Sequence, residues 1–106
     1  MLTNKEPFSK DFGLRNQINR SSGSVMDNIA EGFGRSGNKE FAQFLFIAKG
    51  SLTEVQSQLY RALDRNYLTK EIFKELEFTV NEIHKMIYGL AKKLKQADHN
   101  GIKSNF

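Results

Sequence analysis

An all-α, up-down antiparallel helical bundle is the fold this 106-residue sequence predicts, and three observations predict it. Apolar residues recur at steps of three and four along most of the chain. No sustained period-2 alternation marks a strand. The one proline, Pro7, precedes every periodic segment, so no proline interrupts a helix once it has begun.

The first segment runs from about residue 11 to 33. Leu14, Ile18, Ser22, Val25, Ile29 and Phe33 carry its stripe, and Ser9 is placed to cap it. Ser21, Ser22, Gly23 and Ser24 are mediocre helix formers, so close packing rather than propensity must hold this helix. The second segment, about 39 to 65, is the clearest. Phe41, Phe44, Leu45, Ala48, Leu52, Val55, Leu59, Ala62 and Leu63 form one stripe, with Ser36 or Asn38 available as the cap. Phe46, Ile47, Gly50 and Tyr60 fall outside that stripe, small residues flanked by aromatics, which predicts a second covered face and a candidate oligomer contact.

Asn66, Tyr67 and Leu68 break the chain again. Thr69 caps a third segment, about 70 to 95, with Leu68 and Phe73 spaced for a hydrophobic staple. Ile72, Leu76, Val80, Ile83, Ile87, Leu90 and Leu94 continue its stripe. Residues 96–106 lack periodicity and are expected to be a frayed tail. Three helices of this length, each about 37 Å, enclose a core poorly. A slab, or a bundle open on one side, follows unless a fourth helix completes it.

A chain this short holds one core and is expected to be a single domain. Sixteen Lys and Arg stand against twelve Asp and Glu, a formal charge of +4. All of that excess lies from residue 85 onward, where five lysines face Asp98 alone. Absence of cysteine rules out a disulfide framework, and no apolar run or N-terminal leader directs the chain to a membrane, so a cytoplasmic protein is expected.

Catalytic and metal-binding patterns fare poorly. His84 has Asn81 three residues earlier, where a di-metal bundle would place Glu, so no metal and no cofactor are expected. No spacing selects a Ser-His-Asp set. Glu31 and Glu54 could act as an acid and base pair, yet polar groups in bundles more often fix register. The stretch NIAEGFGRSGNK follows no strand and lacks the Gly-Lys-Ser/Thr of a phosphate loop. Gly34 reads as a left-handed helix stop, Gly32 with Ala30 as a point of close helix approach, and Asn28, Glu31, Arg35 and Glu54 as a polar corner. Arg35 and Lys39 could instead meet a phosphate. Arg15, Arg20, Lys92, Lys93 and Lys95 extend that second reading toward structured RNA, although aromatic residues are not densely interleaved with them. No small-molecule substrate is evident.

From Phe12 to Leu59, FGLRNQINRSSGSVMDNIAEGFGRSGNKEFAQFLFIAKGSLTEVQSQL resembles the bacterial four-helix-bundle proteins encoded in intervening sequences of 23S ribosomal RNA genes. The residues that carry the likeness are Phe12-Gly13-Leu14, Gln17-Ile18, Asn28 through Arg35, Lys39-Glu40-Phe41, Phe44-Leu45, Ala48, Gly50-Ser51 and Glu54. Met26 stands where such proteins usually have proline, and such proteins usually begin with a further amphipathic helix ahead of the segment at residue 11, which this chain is expected to lack. The resemblance implies a non-enzymatic bundle that assembles as a homo-oligomeric ring, commonly a pentamer, of unestablished role. A related branch, the accessory variability determinants of diversity-generating retroelements, implies an alternative: a nucleic-acid-binding accessory working on structured RNA or with a reverse transcriptase.

Overall fold

The computed structural model describes residues 10–35 and 37–99, and within them every regular element is a helix. Helix α1 spans Phe12–Phe33, α2 spans Asn38–Asp64 and α3 spans Lys70–His99. The expected cap at Ser9 lies outside the described residues. Asp11 takes that role, its Oδ1 accepting from the Leu14 amide at 3.1 Å. At the start of α2, Ser36 also lies outside the described residues and Asn38 is already helical. Gly37 is the cap, and no side chain bonds there.

The α2–α3 turn is built from backbone. Asn66 adopts φ 60°, the Asn66 amide donates to Leu63 O at 3.0 Å and the Tyr67 amide to Ala62 O at 2.9 Å. This is a Schellman motif with asparagine in the left-handed position. Thr69 Oγ1 then accepts from the Ile72 amide at 3.2 Å, and Leu68 and Phe73 are both buried beside it. Helix α3 continues four residues beyond the expected end at 95. Leu90, Leu94 and half-buried Ala97 keep the three-four spacing, so there is still a face to pack.

Central helix α2 packs against both neighbours, whereas α1 and α3 scarcely meet. The molecule measures 52 × 22 × 16 Å. Its thinnest dimension exceeds the roughly 10–12 Å of one helix layer, so the three helices form an open-sided bundle rather than a flat slab. Leu45, Ala48, Leu52, Leu59 and Ala62 of α2 meet Leu14, Ile18 and Val25 of α1 and Phe73, Val80, Ile87 and Leu94 of α3 in one core. The expected α1 stripe holds at Leu14, Ile18 and Val25, but Ser21 and Gly32 are buried in place of Ser22 and Phe33, and Phe33 is exposed and meets Phe41 edge-on at 6.1 Å.

Among the described residues, the uncovered apolar side chains include two surfaces on different sides of the bundle. On α3, Ile72, Leu76, Ile83 and Leu90 are only half-buried, and Met86 beside them is 64% exposed. These occupy the flank away from Glu77, which bonds Tyr60 of α2, and from His84, which lies within the field of Lys49 of α2. Across the gap, α1 offers half-buried Ile29 and exposed Met26 and Phe33. The open side of the bundle is therefore a cleft with apolar walls. On the outer side of α2, Phe46 is 75% exposed and forms the second surface.

Candidate functional site

Serine and amide side chains occupy the α1–α2 interface where a bundle would ordinarily place apolar groups. Ser21, Ser51 and Gln58 are all buried. Gln58 Nε2 donates to Ser21 Oγ at 3.1 Å, and Ser21 Oγ donates to Glu54 Oε2 at 3.3 Å. One turn along, the hydroxyls of Ser24 and Ser51 bond at 2.8 Å, and Asn28 Nδ2 donates to Ser24 O at 2.8 Å and Ser24 Oγ at 3.0 Å. Arg61 Nη2 donates to Gln17 Oε1 at 2.8 Å. A cavity of about 640 Å³ lies along this seam, with Arg20 and Ser57 completing its wall. Glu54, Gln58 and Arg61 lie on the side of α2 turned away from Tyr60 and hence from α3.

The hydrogen bonds fix the amide of Gln58. Its Nε2 is used on Ser21, whose own hydrogen goes to a carboxylate that can only accept. Gln58 Oε1 is fully buried and has no partner. A buried unmatched acceptor of this kind costs about 1–3 kcal/mol.

Residues expected to share one polar corner are divided among three places. Asn28 joins the Ser24–Ser51 pair, and Glu54 joins Ser21. Glu31 pairs with Arg35 at 2.7 Å on the exposed surface, and the Arg35 guanidinium also lies 5.2 Å from the Phe44 ring centroid. Gly34 caps α1 at φ −76°, ψ −9°, so the left-handed conformation expected there is not adopted; the Gly34 amide completes the helical ladder to Ala30 O, and the helix closes with a tightened last turn in which the Arg35 amide donates to Gly32 O at 3.1 Å. A Cβ on Gly32 would lie 2.7 Å from Phe44 Cβ and 2.8 Å from Phe41 Cδ1, whereas Ala30 faces solvent and takes no part in that approach.

The expected oligomer residues also differ in environment. Phe46 and Ile47 are exposed, at 75% and 49%, and Gly50 has open space about it. Tyr60 is engaged by its own chain. Its hydroxyl donates to Glu77 Oε2 at 2.7 Å, which raises the phenol pKa, and its ring lies 4.8 Å from Phe73.

Basic residues fall into separate groups. Antiparallel topology brings Arg35 and Lys39 to the same end as Lys92, Lys93 and Lys95, all of them exposed. Arg15 is at the opposite end, its guanidinium 4.7 Å from the Phe12 ring centroid, and Arg20 lines the seam. His84 is half-buried, and burial together with the charge of Lys49 lowers its pKa. Among the described residues no group of three or more His, Asp or Glu is placed to hold a metal ion, and no helix is long and apolar enough to cross a membrane.

Sequence reasoning gave Ser21 and Ser51 no part in a site and did not single out Gln58. A signal existed: Ser51 and Gln58 sit at helical spacing among Leu45, Ala48, Val55 and Ala62, the apolar positions of α2. The seam partner on α1, Ser21, lies beside Ile18 and Val25 in the same way.

Among known proteins, the family model described as 23S rRNA-intervening sequence protein matches residues 1–89. No curated protein and no solved structure matches the chain significantly.

Proposed function

Because this chain belongs to the 23S rRNA-intervening sequence protein family, we propose that it is a non-enzymatic, cytoplasmic assembly protein that closes with copies of itself into a ring. The observation that carries this reading is the open side of the bundle. Helices α1 and α3 both pack on α2 but leave an apolar cleft between them, and a surface of this kind in water favours a covering partner. The second surface, around Phe46 and Ile47, supports a ring over a two-fold dimer. A ring is built by a head-to-tail contact between two different patches, and these two lie on opposite sides of α2. Five copies is the stoichiometry that the family resemblance suggests.

The test is light scattering on the purified chain and on two surface variants, Met86→Glu on the open flank and Phe46→Glu on the outer face. Both positions are exposed, so either substitution should leave the fold intact. Each is expected to reduce the assembly to single chains. An unchanged mass in both variants removes the reading.

One observation favours a second role. Arg35, Lys39, Lys92, Lys93 and Lys95 share one end of the bundle, a placement that suits the phosphates of structured RNA. Log affinity for a ribosomal RNA fragment should then fall with log salt by nearly one unit per neutralised phosphate. No binding at low salt discards this role.

A further inference from the structure

Within the nucleic-acid role given above, on which this rests, we propose that the outer face of α3 binds a single strand, stacking bases on Phe78 and Tyr88 and holding phosphates on the lysines around them. Lys74, Phe78, Asn81, Lys85, Tyr88, Lys92 and Lys95 follow one another at alternating steps of four and three, and all seven are exposed. That spacing sets them in one line along the helix, turned away from buried Phe73, Val80, Ile87 and Leu94. At about 1.5 Å per residue the line is about 32 Å long.

Two aromatics over this span look sparse in sequence, yet on the helix they share a line with four lysines and no carboxylate. One step earlier the spacing reaches Glu71, which bounds the line, and residues 83–97 contain no Asp or Glu. Glu82, at the edge, approaches Lys85 at 3.7 Å, but the Lys85 side chain is 76% exposed and keeps N–H groups for a phosphate. Among the described residues Lys74, Lys92 and Lys95 are in no ion pair. Lys92 and Lys95 also border Arg35 and Lys39 at the end of the bundle, so the line runs into the basic cluster already described.

The aromatic rings select the partner. Phe78 and Tyr88 are each 65% exposed, and among the described residues neither ring packs on another. In a duplex the base faces are covered by their neighbours, whereas a single strand offers them to aromatic platforms beside a cationic track. A helix that lies on a membrane keeps its apolar face apart from its cationic one. Here aromatics and lysines alternate on one line, which suits alternating bases and phosphates and not a bilayer.

The test is fluorescence anisotropy of the full chain with a labelled ten-nucleotide oligouridine at low salt. Oligouridine is expected to bind, and an abasic strand of the same length to bind about tenfold more weakly. Phe78→Ala and Tyr88→Ala, both at exposed positions, should each weaken oligouridine binding about tenfold at unchanged melting temperature. Tyr88→Phe, which keeps the ring, should bind as wild type. Lys85→Gln should lower the slope of log affinity against log salt by about 0.7. Unchanged affinity in both alanine variants, or an abasic strand bound as tightly as oligouridine, overturns the stacking face and leaves the RNA role at the end of the bundle standing. A bound RNA duplex with no binding of oligouridine does the same, and no binding of either RNA removes both. Loss of polyglutamate or phosphatidylserine-vesicle binding in the alanine variants, with oligouridine binding unchanged, overturns it in favour of an acidic protein or a membrane.

Discussion

Gly32 of α1 lies directly against Phe44 of α2, so close that a Cβ on the glycine would stand 2.7 Å from the phenylalanine Cβ. Neither atom belongs to the far end of a flexible side chain, so relief requires the helices to separate. Gly32→Ala should therefore destabilise the protein by about 1–3 kcal/mol even though alanine favours the helix by about 1 kcal/mol. Gly89→Ala is the control. Nothing lies within 4 Å of a Cβ there, so the same substitution should be neutral or stabilising by up to about 1 kcal/mol. Urea denaturation of both variants checks the contrast, and equal effects at the two sites would refute the close approach.

The hydroxyl pair Ser24–Ser51, at 2.8 Å, joins α1 to α2 across the seam. Each serine alone converts to alanine with a mixture of lost bond and gained helix propensity, so single variants mislead. A double-mutant cycle removes the propensity terms. It should return a coupling of about 0.5–1.5 kcal/mol, and a value near zero would mean that the hydroxyls are not bonded in solution.

Asp11 caps α1 and also binds Arg65 and, at 2.9 Å, the Tyr67 hydroxyl of the α2–α3 turn. The Leu14 amide, the Tyr67 hydroxyl and Arg65 together hold its carboxyl below the ordinary 3.8, against a smaller opposing effect of burial. A carboxylate whose folded pKa is depressed stabilises the protein above its unfolded pKa. That contribution is lost as pH falls through the folded value. Asp11→Asn keeps a capping acceptor but carries no charge, so its stability should fall less steeply than wild type below about pH 4. Parallel acid limbs would show that Asp11 is not held ionised by the fold.

Much of the fold was legible because the apolar spacing is strict and its breaks are marked: Gly34 and Asn66–Leu68 separate the stripes, and Thr69 with the Leu68–Phe73 pair marks the start of α3. The caps were less legible. Asp11 is selected by Arg65 and Tyr67, residues more than fifty positions away, so a local reading favoured Ser9. Arg35 was expected inside a polar corner, yet its carboxylate lies one turn back on its own helix, where an i, i+4 pair needs no tertiary contact. The seam was hidden for a related reason. A serine at a core position looks like a weak point in a helix until the partner that satisfies it is known.

A head-to-tail ring makes an unusual prediction about mixtures. A Met86→Glu chain keeps its Phe46 patch, and a Phe46→Glu chain keeps its open flank. One intact contact should form when the two are combined, giving a pair of chains and nothing larger. A flank-to-flank dimer would instead leave Phe46→Glu at the wild-type mass and the mixture without a joint species.

The central claim, that the open side of this bundle is covered by another copy, is tested most directly by the mass of the unmodified chain in solution. Light scattering at micromolar concentration should return a fixed multiple of the single-chain mass, five-fold for the ring proposed above, unchanged on dilution across that range. A single-chain mass throughout, with the helices intact, would contradict it.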